Sequence, residues 1–193
     1  MRRRWVIIAL AVLAVVVGIT SNLADARLLP YGPVAATGAM GEDVSAFPYT
    51  VHVNHAQAAA SIVEAGRFEP PPPTTTDGVW VVVNLSYATE DEVRIPGSSA
   101  LVLRAEDGRQ FPVSNRSPAR PWLAGADIWV RGDLAFEVAP DTLDGLMLVF
   151  DPELKIYGPM PMQYAQIPLD LDPDDVVEVL DLTETETLPV GKR

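Results

Sequence analysis

Cysteine is absent from the 193 residues of this chain. That excludes disulfides, thiolate metal sites and cysteine nucleophiles together. Histidine is nearly absent: His52 and His55 are the only two. Three residues apart in a strand, they point to opposite faces, so they share a metal only if the chain turns at Asn54. With so few histidines and no Gly-x-Ser-x-Gly sequence, a Ser-His-Asp hydrolase has little support. No glycine-rich phosphate loop is present, and nothing calls for a cofactor. Positive charge is also scarce, with 14 Lys/Arg against 26 Asp/Glu and a net charge of −12. A surface of that sign repels phosphate backbones, which argues against nucleic acid. The absence of disulfides, with two lysines beside twelve arginines, fits a GC-rich bacterial source.

There is one long apolar run, at the N-terminus. Arg2, Arg3 and Arg4 precede sixteen uncharged residues, Trp5 to Thr20. As a helix this run rises about 24 Å, a little short of a ~30 Å hydrocarbon core. Residues 21–24 extend it to the far interface. The three arginines hold the N-terminus in the cytoplasm and place the rest outside, with Trp5 as an interfacial anchor. Two outcomes follow: a retained single-pass anchor, or a signal peptide cleaved at the Ala24-Asp25-Ala26 site and a secreted product. The segment therefore covers residues 1–26. Residues 27–43, rich in Gly, Pro and Ala, read as a linker.

Eighteen prolines and thirteen glycines argue for many turns and against long helices beyond that point. Residues 49–54 alternate as a strand does, and residues 56–65 fit either a short helix or a strand. Residues 69–77 form a proline-rich loop in polyproline II. Residues 78–89 give the clearest strand, with Val79, Val81, Val83, Leu85 and Tyr87 on one apolar face. Residues 100–105 and 110–113 flank Asp107-Gly108, a hairpin turn. Further strands are expected over 128–138, 146–150 and 164–169. Seven or so short strands with turns between them predict an all-β, antiparallel immunoglobulin-like β-sandwich over 44–169, preceded by the transmembrane or signal helix.

The runs Gly78-Val-Trp-Val-Val-Val-Asn-Leu-Ser-Tyr87, Ala100-Leu-Val-Leu-Arg-Ala-Glu-Asp-Gly-Arg-Gln-Phe111 and Gly132-Asp-Leu-Ala-Phe-Glu-Val-Ala-Pro140 resemble a known family. It is that of the bacterial telokin-like, immunoglobulin-like exported domains of unknown function, the structural group of the mycobacterial immunoprotective extracellular antigen. The likeness spans roughly residues 45–170, and Ala124-Gly125 stands where the family usually has Pro-Gly. It implies an exported sandwich and brings no catalytic residues with it.

Residues 170–193 form an acidic tail, with eight carboxylates and no base between Asp170 and Glu186. Within it Asp170, Asp172, Asp174, Glu178 and Asp181 fall at positions 1, 3, 5, 9 and 12 of a calcium loop, although Asp175 stands where such a loop needs glycine. Arg131-Gly132-Asp133 spells an integrin-type tripeptide, in which Gly132 more simply marks a bulge. Asn84 and Asn115 sit in N-glycosylation patterns, and Thr74 to Thr76 is either an O-glycosylated stretch or a stiff spacer. The chain is thus expected to be a non-enzymatic module, tethered outside the cytoplasm or secreted, that binds a protein or envelope partner. Its expected contacts are residues 70–77 and 115–126, the latter carrying Trp122. The alternatives are an envelope small-ligand or calcium carrier and, behind it, an envelope hydrolase.

Overall fold

The computed structural model describes residues 2–28, 33–64, 71–97, 99–152, 163–189 and 192. It divides into an N-terminal unit and a β unit that begins at Ala35. Helix α1, Arg2–Leu28, makes up the first. Its stretch Trp5–Leu23 is long and apolar enough to cross a membrane, and its described side chains are exposed. A signal sequence has the same composition. Ala24 and Ala26 lie inside this helix.

Among the described residues eleven strands follow: β1 Val34–Thr37, β2 Asp43–Ala46, β3 Tyr49–Val63, β4 Thr74–Thr89, β5 Leu101–Arg104, β6 Gln110–Pro112, β7 Val130–Val138, β8 Met147–Phe150, β9 Gln163–Pro168, β10 Val177–Asp181 and β11 Glu186–Thr187. They form a β-sandwich. One sheet has the order β1-β9-β8-β5-β6, and the other β10-β3-β4-β7-β11, with β2 also pairing β3. β10 runs parallel to β3, whereas the pairs β2–β3, β3–β4, β4–β7, β7–β11, β5–β6, β5–β8 and β8–β9 are antiparallel.

The core follows from period-two alternation. Val79, Val81, Val83, Leu85 and Tyr87 of β4, with Leu134 and Phe136 of β7, pack against Leu101, Leu103, Leu148, Phe150 and Ile167 of the facing sheet. Gly108, at φ +88°, closes the β5–β6 hairpin, where its N–H bonds the Ala105 carbonyl at 3.0 Å. Arg109 binds Asp107 and Asp141 beside that turn.

Several expectations change. Residues 56–63 are strand, a continuation of β3 past a register shift at Asn54. Residues 34–37, read as linker, form β1, and the 69–77 loop gives way to strand at Thr74. Residues 65–70 and Ser98 lie outside the described residues.

The largest correction concerns the acidic tail. It is not a solvated appendage: β10 takes the half of the β3 edge that β2 leaves open, and β11 covers the edge of β7. Between them the chain crosses the outer face of the sheet. Leu182 (5% exposed) joins Trp80, Val82, Ala59, Ile62 and Ala135, and Leu188 (7%) joins Ala88 and Trp129. Leu182 and Leu188 point inward while the carboxylates near them face water, so a charge count alone mistakes this segment for free chain.

Candidate functional site

A short irregular ribbon carries the largest exposed aliphatic side chains of the described β unit. After β4 ends at Thr89, residues 90–97 meet residues 123–128. Arg94 and Ala124 exchange two backbone hydrogen bonds, each 2.9 Å, as a narrow antiparallel pair does. That register sets Ile95 opposite Leu123 and Val93 opposite Gly125, on the side away from Arg94 and the buried Ala124. A Cβ on Gly125 would lie 3.2 Å from the Ile128 side chain, so Ile128 covers the glycine and extends the row. Val93 is 62% exposed, Ile95 60%, Leu123 59% and Ile128 48%. Phe47, also exposed, precedes Pro48, whose carbonyl accepts the Glu90 N–H at 2.9 Å. Carboxylates rim this row: Glu90, Asp91, Glu92 and Asp127 are exposed. Among the described residues the single nearby cation, Arg94, is held by Asp91 at 3.5 Å and by Glu92.

The ribbon is seated on an aromatic cluster. Tyr49 and Phe150 meet edge to face at 5.2 Å, and Tyr87 lies 5.9 Å from Phe150. Trp122 stacks on Tyr87 at 5.9 Å and 25°. The Tyr87 hydroxyl donates to the Trp122 carbonyl at 2.6 Å and accepts from its N–H. Burial pushes this hydroxyl well above the usual tyrosine range, against the opposing pull of the Trp122 backbone, so it stays a donor at any physiological pH. Gly132 is a regular position of β7, not a bulge. A Cβ there would meet the Trp122 ring at 2.6 Å, so glycine makes room for the indole. Trp122, expected as an exposed contact, is therefore half-buried and acts as the post that fixes residues 123–128.

The free edge of Trp122 lines a cleft of about 450 Å³, shared with Pro118, Pro121, Glu64, Leu182 and Thr185. Its floor is a closed polar knot. Buried Asp133 accepts Asn84 Nδ2 at 2.6 Å, the Thr183 N–H at 2.6 Å and the Thr183 hydroxyl at 2.9 Å. With Asp133 buried, the Arg131-Gly132-Asp133 tripeptide is not displayed, and buried Asn84 is no glycan acceptor. Arg120 reaches the carbonyls of Ser114 and Asn115 at 2.6 and 2.8 Å. These bonds close the 114–122 loop on itself, and the Ser114 N–H to the Ala135 carbonyl (2.9 Å) and the Ala135 N–H to the Ser117 hydroxyl (3.2 Å) fasten it to β7.

Next to it, Arg116 lies 5.4 Å above the buried Trp80 ring and pairs with Glu137 at 3.1 Å. Thr76, from the expected spacer, donates to Glu137 at 2.9 Å, and Ser114 donates as well. Burial raises the Glu137 carboxyl, but the Ser114 and Thr76 hydroxyls and the Arg116 charge outweigh it and hold the group below the usual glutamate range.

The remaining candidates separate. The bulge at Asn54 returns His52 and His55 to one face, opposite Ser86 and Asn84. His52 Nδ1 lies 2.9 Å from Asp43, but the Ser86 hydroxyl is fully buried and accepts Asn54 Nδ2 at 3.0 Å, so it presents no nucleophile to solvent. Of the calcium-loop residues, Asp172 accepts the Asp174 N–H at 2.9 Å in a turn. Glu178 and Asp181, however, lie three residues apart along β10, ~10 Å, and on opposite faces of the strand. An extended strand cannot wrap those carboxylates about one ion. Among the described residues, no three His, Asp or Glu side chains are grouped to hold a metal.

Sequence reasoning placed residues 123–126 in a contact region but missed Val93 and Ile95. Their signal was two aliphatics alternating with Arg94 between an acidic run and Pro96-Gly97, in a segment with no other reason to be apolar.

No family model matches the chain, and no curated protein does. Two solved structures share a general likeness. The yjhA protein from Bacillus subtilis is 13% identical, with a TM-score of 0.43 over 67% of this chain and 98% of that one. An uncharacterized beta-sandwich protein from Clostridium difficile 630 is 8% identical, with a TM-score of 0.42 over 72% of this chain and 96% of that one. Neither likeness bears on function.

Proposed function

We propose that this chain is a non-enzymatic interaction module of the cell exterior. Residues 5–23 tether it to a membrane, N-terminus inside, or direct its secretion before cleavage near Ala26. Its telokin-like strand pattern supports the same reading. One observation carries it: Val93, Ile95, Leu123 and Ile128 stand exposed together on a pinned ribbon. Single exposed aliphatics are ordinary, whereas a contiguous row on a rigid seat is the composition of a protein-binding patch. Loops at the end of a sandwich are where such domains meet partners.

Photo-cross-linking in the native host tests this. A photoreactive residue in place of Leu123 is expected to yield one discrete adduct, and one in place of exposed Asp144 none. No adduct at position 123, or the same adducts at both, would refute the reading. A second reading, a small-ligand carrier, is favoured by the Trp122 cleft. A ligand there at a hundred times its Kd stabilises the fold by ~2.7 kcal/mol.

A further inference from the structure

Resting on that reading, we infer that the occupant of the ribbon is a protein segment whose aliphatic side chains are flanked by lysine or arginine. The apolar row calls for aliphatic contact, and its rim supplies the sign of charge around it. Glu90, Asp91, Glu92 and Asp127 face solvent beside the row, and among the described residues Arg94, already taken up by two of them, is the one cation offsetting them. The rim therefore stays negative, and the chain as a whole carries −12. Like charge across an interface is costly, and opposite charge steers association. A second copy of this chain brings the same rim and is repelled. An anionic lipid surface is disfavoured for the same reason. A basic segment is drawn in by the field, sets its aliphatics on Ile95 and Leu123, and pairs its cations with the rim.

The experiment is a selection from a displayed random-peptide library on the full chain in neutral detergent micelles, with the Ile95→Glu/Leu123→Glu variant as counter-selection. Peptides that bind the wild type and not the variant are expected to carry Lys or Arg on both sides of an aliphatic centre. Their affinity should fall at least fivefold between 50 and 300 mM salt, as attraction to an exposed acidic rim requires. Ribbon-dependent peptides that are neutral or acidic, or indifferent to salt, overturn the charge inference and leave the binding reading standing. If no selected peptide depends on the ribbon, both fall. Self-association of the wild type that the variant abolishes identifies a second copy as the occupant and also overturns it.

Discussion

Two regions of the β unit carry the same chemistry and are treated in opposite ways. On the outer face of the β3-β4-β7 sheet, Trp80, Val82, Ala135 and Ala88 are covered by the chain's own tail. On the 93–95 and 123–128 ribbon, Val93, Ile95, Leu123 and Ile128 are left bare. Residues 177–188 seal the first region, with Leu182 and Leu188 as plugs and Asp133 as the latch for Thr183. On the proposed reading, the covered face is structure and the bare ribbon is contact.

That contrast can be broken in three ways, taken here by size of effect. Trp80→Ala removes the centre of the covered face, including the indole bond to the Thr74 carbonyl and the seat of Arg116. It should lower the unfolding free energy by about 3–5 kcal/mol in urea titration. Should the loss stay under ~1 kcal/mol, the outer face is not a second core.

Asp133→Ala unlatches the tail, leaving the Asn84 amide and the Thr183 N–H without their acceptor. A loss of about 1–3 kcal/mol is expected, with faster hydrogen exchange concentrated at Thr183. Unchanged exchange there would mean that the tail is held by its leucines and by the β10 and β11 pairings, without this latch.

Glu137→Gln sharpens the picture of how the 114–117 turn is fastened. The folded carboxyl lies below its ordinary value of ~4.3, so its contribution is fully present above that pH and fades as pH falls through the folded value. The variant should be less stable than wild type at neutral pH, and the gap should narrow as pH falls below the ordinary glutamate range. A gap that is constant with pH would show that charge plays no part. The group is partly solvated, so screening keeps the effect small.

Much of this was legible in the residues. The N-terminal helix, the apolar face of β4 and the Asp107-Gly108 hairpin each follow from a local pattern: an uninterrupted run, period-two alternation, and a turn that tolerates positive φ. What was hidden depends on distance in sequence. Nothing near Val177 announces that β10 will lie parallel to Ala59–Val63, over a hundred residues earlier. The carboxylates around Leu182 and Leu188 outweigh the leucines in any composition window. The bulge at Asn54, which turns His52 and His55 to one face, has no local marker either. The candidate site was half legible for a similar reason. Residues 123–126 stood out as an irregular loop near a tryptophan, but their pairing with Arg94, like the Tyr87 bond to Trp122, joins segments far apart in sequence.

The most direct measurement on the contrast itself is the Ile95→Glu/Leu123→Glu variant, read for stability and contact together. If the bare ribbon is an interface, its unfolding free energy stays within ~0.5 kcal/mol of wild type, as at an exposed surface, while a photo-cross-link from position 93 to its partner disappears. An account in which these side chains merely finish the fold predicts the reverse: a loss of several kcal/mol and an unchanged cross-link. That result would contradict the division between covered face and bare ribbon.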